Sequence, residues 1–445
     1  VKIKGKNTYV LYKGAPDKLL KYCTHYKNID GKDIEFDRDS IKNKIESLEK
    51  ESKRLCLIAQ ASYLHDTDTI PELTFLALAV ISDPLRPKVK NAVKEIQGAG
   101  VHIVMITGDA PNTALAIAKN VNIYNEAHNI VLSGEELSKL SDAEVKNILP
   151  KLSVISRALP GDKRRLVRLA QEIGLVTGMT GDGINDSPAL KLADIGFAMG
   201  SGTEVAKEAG DVVILNNDLK SIGKCMLYGR TIFESIKKFI VFQLTMNFCA
   251  VGVSLIGPFI GVDTPVTVMQ MLWINIIMDT LAGLAFAGEA PQKSYMEEKP
   301  KSRLEPIIMG EMLGQILITG GYTIFLCASF LKMTAFRDVF HFSSDFVGFM
   351  TAFFTLFVFC GIFNAFNART SRIRLFVNLG KNKMFLIVML FVSAVQIALI
   401  FFGGTLFRTH ALSYPAIKEI ILLSFTVIPF DLVRKILSRV FGAGR

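Results

Sequence analysis

The run from Phe239 to Val262 contains no charged residue. A helix of about 20 residues crosses the hydrocarbon core of a bilayer, so a run of this length and composition reads as a membrane span. Further apolar runs at Val266 to Ala287, Leu313 to Leu331, Phe346 to Phe366, Met384 to Phe402 and Ile417 to Val433 predict six spans in all. The mean hydropathy of +0.34 agrees that much of the chain lies in lipid. Basic residues gather on one side of these spans: Lys237 and Lys238, then Lys293 to Arg303, then Arg369 to Lys383, and finally Arg434 to Arg439. The opposite connections, around Asp263, Arg337 and Arg408, carry few. By the positive-inside rule, the soluble part and the C-terminus are expected in the cytoplasm.

The formal net charge of +10 does not indicate a nucleic-acid partner, because the bases flank apolar spans and form no long runs interleaved with aromatics. The expected partner is the lipid bilayer. Six cysteines, Cys23, Cys56, Cys225, Cys249, Cys327 and Cys360, show no close paired spacing and are expected as free thiols.

Residues 1–72 are polar and mixed, reading as part of a small α+β lobe with a strand at Tyr9 to Tyr12 and a helix from Ser40 to Arg54. The strand runs into Lys13-Gly14-Ala15-Pro16, where Lys13 can present an ammonium to a nucleotide or simply decorate a surface turn. Arg54 has the same two readings. From Leu73 onward apolar strands alternate with amphipathic helices, which predicts a mainly parallel α/β sheet beginning with a strand at Thr74 to Ile81. Open α/β sheets bind ligands outside the carboxyl ends of their strands. Four such ends carry polar groups: Asp83 and Arg86; Thr107, Gly108 and Asp109; Arg157; and Asp182 to Asp186.

The last of these is Thr180-Gly181-Asp182-Gly183-Ile184-Asn185-Asp186, a strand end, a glycine turn and a helix start. Glycines let the backbone approach a bound group, and the carboxylates and amide supply the hard oxygens magnesium prefers beside a phosphoryl group. Thr107 and Gly108 can give a hydroxyl and amides to phosphoryl oxygens, and Lys163 can neutralise charge that develops in transfer. In the second span Gln270, Asn275 and Asp279 interrupt an apolar helix, and Asn247 interrupts the first. A carboxylate in mid-membrane is costly and marks an ion or proton path, with interhelical hydrogen bonding as the competing reading. At four residues apart, Asn275 and Asp279 are expected on one helix face, with Asn247 reaching them from the neighbouring helix.

Together, Lys13 to Pro16, Asp83-Pro84-Leu85-Arg86, Thr107-Gly108-Asp109, Lys163, Thr180 to Asp186 and Gln270 to Asp279 resemble the P-type ATPases, and among them the calcium pumps of the plasma-membrane type. The resemblance covers nearly the whole chain. It implies an incomplete haloacid-dehalogenase-like phosphorylation domain, part of a nucleotide-binding domain inserted in it, and six transmembrane helices. The corresponding boundaries are 1–72, 73–225 and 226–445. It further implies that Lys13 and Arg54 face ATP, that Asp83, Arg86, Thr107, Gly108, Asp109 and Arg157 shape the nucleotide and phosphate crevice, and that Lys163 stabilises the transferring phosphoryl. Asp182 would hold Mg2+, supported by Asn185 and Asp186. Asn247, Asn275 and Asp279 would bind the transported Ca2+.

Two departures from that pattern matter. Family members carrying two ions use further glutamates where this chain has Ala250 and Gly361, so one calcium site is expected. The phosphorylated Asp-Lys-Thr-Gly sequence is not found here, nor is the actuator domain. The expectation is therefore a C-terminal half that needs an N-terminal half with the actuator domain, four membrane helices and the phosphorylatable aspartate. The alternatives are a truncated membrane protein that binds nucleotide or a partner, and a calcium/manganese pump.

Overall fold

The computed structural model describes residues 2–4, 8–28, 31–50, 53–62, 70–81, 86, 88–308, 310–333 and 345–442. Two compact units are present, Val1–Met226 with Met296–Leu304, and Leu227–Tyr295 with Glu305–Arg445.

In the first unit, strands β1 (Lys2–Lys4), β2 (Thr8–Gly14), β3 (Cys23–Lys27), β4 (Asp33–Glu35), β5 (Arg54–Ser62) and β6 (Leu73–Ile81) form one sheet in the order β1-β2-β5-β6-β3-β4. Helices α1 (Pro16–Leu19) and α2 (Arg38–Lys50) belong to this part, and its core gathers Leu19, Leu20, Cys23, Phe36, Ile45, Leu57, Ala59 and Leu73. The strand expected to open the parallel α/β sheet is therefore a member of this one. β6 pairs antiparallel with β5 and parallel with β3. An apolar strand fits the middle of either sheet, and only the distant partner decides between them. Arg54, expected at the end of a helix, begins β5 instead, because α2 stops at Lys50.

The α/β part contains α3 (Val89–Gly98), β7 (Met105–Ile106), α4 (Pro111–Asn120), β8 (Ile130–Ser133), α5 (Gly134–Lys139), α6 (Asp142–Ile148), β9 (Leu152–Ser156), α7 (Pro160–Glu172), β10 (Gly178–Gly181), α8 (Ser187–Leu192), β11 (Ile195–Met199), α9 (Glu204–Ala209) and β12 (Val212–Ile214). Its strands are parallel, as expected, but among the described residues they form two sheets, β7-β9-β8 and β10-β11-β12. Among the described residues β7 and β10 each pair on one side only. Helix α7 packs on both groups, with Leu166, Leu169 and Ala170 against Leu152 and Ile155, and Val167 against Met179 and Leu190. Ser133 with Glu136, and Ser141 with Glu144, form capping boxes that start α5 and α6.

The second unit is helical. α10 (Leu219–Ile256) starts in the first unit and continues here for 38 residues in all, ending in a 3-10 turn that contains Pro258. α11 (Val268–Leu272) begins with a capping box between Thr267 and Gln270, then widens into a π-helical turn over Trp273–Met278 before α12 (Asp279–Ala287). α13 (Gly310–Lys332), α14 (Phe346–Arg369) and α15 (Lys383–Phe402) follow, with α14 buried along most of its length. Phe242, Phe286, Phe330, Phe349, Phe353 and Phe385 dominate this core.

Among the described residues five helices are long and apolar enough to cross a membrane. They match the first five expected spans. The sixth expected span is broken: after the short α16 (Gly404–Phe407), α17 (Tyr414–Phe425) and α18 (Val427–Val440) are separated at Thr426. Pro429 explains the break, since a proline lacks the N–H that would bond to Phe425 and its ring collides with that carbonyl, yet it is tolerated in the first turn of a new helix. The six cysteines are free.

Candidate functional site

β7 ends at Ile106 and the chain leaves it through Thr107, Gly108 and Asp109. The Thr107 hydroxyl donates to Asp109 Oδ2 at 2.8 Å and accepts from the Asp109 N–H at 3.1 Å. The end of β9 closes on the same loop, with the Arg157 N–H donating to Asp109 O and the Ala158 N–H to Thr107 O, both at 3.0 Å. Arg157 is held there at φ 50°, in the left-handed region that a residue with a β-carbon seldom adopts, and such residues collect at functional sites. One arm of its guanidinium donates to Asp17 Oδ1 at 2.9 Å. Thr107, Asp109 and Arg157 are thus brought together, with Gly108 exposed beside them.

The second cluster is built on β10 and α7. Asp186 is buried, and one of its oxygens accepts from Lys163 Nζ at 2.5 Å. The other accepts from the N–H groups of Asp182 and Gly183 at 3.2 and 3.3 Å. A β-carbon on Gly181 would lie 2.4 Å from Asp186 Cβ, so this close approach requires glycine. Asp186 is therefore the organiser: it fixes the turn and aims the Lys163 ammonium. The side chains of Asp182 and Asn185 are exposed, and the Asp182 carbonyl accepts from the Thr203 N–H at 2.8 Å. Among the described residues no three His, Cys, Asp or Glu side chains converge as a metal cage. One exposed carboxylate beside a fixed ammonium fits magnesium, which is held by one or two carboxylates together with phosphate oxygens.

The remaining soluble candidates are more scattered. Lys13 is exposed at the end of β2. Arg54 pairs through its backbone with Ile81, and its side chain lies outside the described residues, as does Asp83. Arg86 donates to the carbonyl of Asn217, whose side chain accepts from the Ser201 N–H at 3.0 Å. Ser201 lies in the same turn as Thr203, so Arg86 is tied to the loop that holds the Asp182 backbone.

In the helical unit, Asp279 is 2 % exposed and, among the described residues, neither carboxylate oxygen has a hydrogen-bond partner. Asn247 is half-buried on α10, whereas Asn275, inside the π-helical turn, is exposed. Of the two residues expected side by side, Asp279 is thus buried and Asn275 exposed. Asn275 lies inside a π turn, which bonds residue i to i+5, and Asp279 is the first residue after it. Gln270 is occupied elsewhere, donating to Phe407 O at 2.8 Å. Met246 and Met278 crowd Gly361: a β-carbon on Gly361 would lie 2.8 Å from Met246 Cε and 3.2 Å from Met278 Cε.

Sequence reasoning missed Asp17, Thr203, Glu289 and Arg369. Glu289 and Arg369 stand just beyond or at the ends of apolar spans, which was a usable signal. Asp17 and Thr203 matter only through distant partners.

The comparisons with known proteins agree with this arrangement. Residues 13–194 match the haloacid dehalogenase-like hydrolase family, residues 176–226 match a second model of that description, and residues 263–437 match the cation transporting ATPase C-terminus. A calcium-transporting ATPase 2 from Schizosaccharomyces pombe is 39% identical over 345 residues, covering 76% of this chain and 26% of the relative. The plasma membrane-type calcium-transporting ATPase 4 of Arabidopsis thaliana is 36% identical, covering 93% of this chain and 41% of its own length. Plasma membrane calcium-transporting ATPase 1 of Gallus gallus is 36% identical, covering 91% and 36%. The chain thus spans between about a quarter and two fifths of the length of these curated relatives. In this chain a haloacid dehalogenase-like hydrolase region is joined to a cation-transporting ATPase C-terminal region, and the chain is a homologue of the calcium-transporting P-type ATPases of the plasma-membrane type.

Proposed function

We propose that this chain supplies the phosphoryl-transfer loops and the ion path of an ATP-driven calcium pump. The observation that carries the reading is Asp279. A carboxylate 2 % exposed in an apolar helix, with both oxygens unpartnered among the described residues, has no structural use there, and a bound cation would satisfy it. Asn247 and Asn275 are its proposed companions, and the names of the relatives supply calcium as the ion. A single site is favoured because Met246 and Met278 crowd Gly361 while Ala250, 2 % exposed, offers no oxygen.

In the soluble part, Asp182 is proposed to hold Mg2+ against the phosphates of ATP, Lys163 to neutralise the transferring group, and Thr107, Gly108 and Asp109 to position it. Asn185 and Asp186 support the loop. Lys13, Arg54, Asp83, Arg86 and Arg157 are the proposed nucleotide-facing set. The nucleophilic aspartate would come from a further segment of the protein, together with an actuator domain and four more membrane helices. This is supported by the one-sided pairing of β7 and β10, which leaves each an edge that another strand can take, and by the exposed Val251, Leu255, Ile276 and Ile277, which another helix can cover. The nucleotide-binding part would end after β6, the phosphorylation part run to about residue 225 and the membrane part follow. Basic residues flanking the spans favour cytoplasmic soluble domains, and the relatives favour the plasma membrane.

The test is Asp279→Asn in the full-length protein, assayed in sealed vesicles. Calcium-dependent formation of a phosphoenzyme from ATP should disappear while phosphorylation by inorganic phosphate, which needs no bound calcium, persists. An unchanged calcium midpoint in the variant would sink the assignment.

A further inference from the structure

Arg157 is fixed by its backbone to the Thr107–Asp109 loop, yet its guanidinium is only partly used. A guanidinium offers five N–H donors in a fixed fork suited to two-pronged binding of carboxylate or phosphate. Among the described residues its one carboxylate partner is Asp17, at 2.9 Å, and its Nε is buried without a partner. Asp17 lies on α1, immediately after the Lys13 to Pro16 turn, and its side chain is about half exposed (53%). An ion pair that open to solvent is weak and readily exchanged.

We propose that Asp17 is a competing carboxylate for the nucleotide: without ligand it occupies Arg157, and a nucleoside triphosphate must exchange it for its own oxygens to engage that guanidinium. A polyanion arriving between Lys13 and Arg157 repels Asp17 as it replaces it, so the exchange favours highly charged ligands over neutral or singly charged ones. Asp17, on α1, and Arg157, just after β9, belong to parts of the unit that also touch elsewhere. Asn112 on α4 donates to Glu49 on α2 at 3.1 Å, and the Thr113 hydroxyl donates to Lys53 O at 3.3 Å. Releasing Asp17 therefore frees Arg157 without separating α2 from α4. The opposite role, in which the pair clamps the crevice shut on ligand, makes the opposite prediction for its removal.

The inference rests on the reading of this crevice as a nucleotide site, and the experiment separates the two. In the full-length protein, displacement of trinitrophenyl-ATP by MgATP is measured for wild type, Asp17→Asn, Arg157→Met, Lys13→Met and the Asp17→Asn/Arg157→Met double variant. Asp17→Asn should tighten MgATP two- to five-fold at low salt, the gain should vanish in the Arg157→Met background, and it should shrink at about 0.5 M salt, where charges are screened within a few ångströms. Asp17→Glu should restore wild-type affinity. If Arg157→Met and Lys13→Met weaken binding but Asp17→Asn leaves it unchanged or weaker, the competition is wrong and the nucleotide reading survives. If neither Arg157→Met nor Lys13→Met weakens binding, the nucleotide reading itself fails.

Discussion

Lys238 Nζ lies 2.8 Å from Glu289 Oε2, tying the long α10 to the second residue beyond the end of α12. The second oxygen of Glu289 faces Arg369 at 3.5 Å, and Arg369 in turn donates to the carbonyls of Leu375 and Val377 at 2.8 and 2.6 Å. One buried carboxylate therefore serves two cations from different helices. Removing it deprives both of that counter-charge, and breaking a buried pair from one side costs about 3–5 kcal/mol. Glu289→Ala should lower the thermal stability of the detergent-extracted protein sharply. Lys238→Met, which leaves Glu289 its Arg369 partner, should cost less. Equal losses would show that the carboxylate is not shared.

Lys163 and Asp186 form the corresponding pair in the soluble part. Lys163→Ala should slow phosphoryl transfer from ATP by about 100-fold, the scale of losing one charge-stabilising donor, with little change in nucleotide affinity. Asp186→Ala should be worse for folding, because it also orphans the Asp182 and Gly183 N–H groups, at about 1–3 kcal/mol. Phosphoenzyme formation and limited proteolysis of the two variants separate these effects.

Acid should act through Asp194, just before β11. Burial pushes its carboxyl up, but hydrogen bonds from the Thr177 N–H and hydroxyl, at 2.8 and 3.0 Å, and the charge of Arg303 outweigh this and hold it below the ordinary carboxylate range. A depressed folded-state value means the carboxylate stabilises the fold at neutral pH, with the benefit lost as pH falls through that lowered value. Wild type should therefore exceed Asp194→Asn in heat stability around neutrality, and the two should converge in acid. Parallel curves at every pH would rule this contribution out.

Gly361→Glu, which restores an oxygen on α14, should not create a second ion site. Its side chain must enter space held by Met246 and Met278, and overpacking of that kind costs about 1–3 kcal/mol. Equilibrium calcium binding to the purified full-length variant should give the same number of ions as wild type, at reduced stability. A gain of one ion would show that the methionines yield.

How much of this was legible in the sequence depended on range. The spans, the glycine turn around Asp182 and the isolated Asp279 are local patterns, each readable from one contiguous window of no more than about 20 residues. Strand β6 suits any interior strand position, since eight of its nine residues are apolar, and its partners β5 and β3 are set by the fold of residues earlier in the chain. The break at Thr426 was visible in principle through Pro429, but hydropathy averages over it. Asp17 and Glu289 could not be picked out, because a carboxylate gains its meaning only from the cation brought to it.

The π-helical turn over Trp273–Met278 gives the Asp279 region a property that an ordinary helix lacks. It holds one hydrogen-bond register in reserve. Tightening it to α-helical spacing would rotate the residues after it by about 100° relative to those before it, the angle of one residue in a helix of 3.6 residues per turn. Asp279 is the first residue after the turn and Asn275 lies within it. A change of backbone register alone would thus swing the carboxylate from one side of the helix toward another.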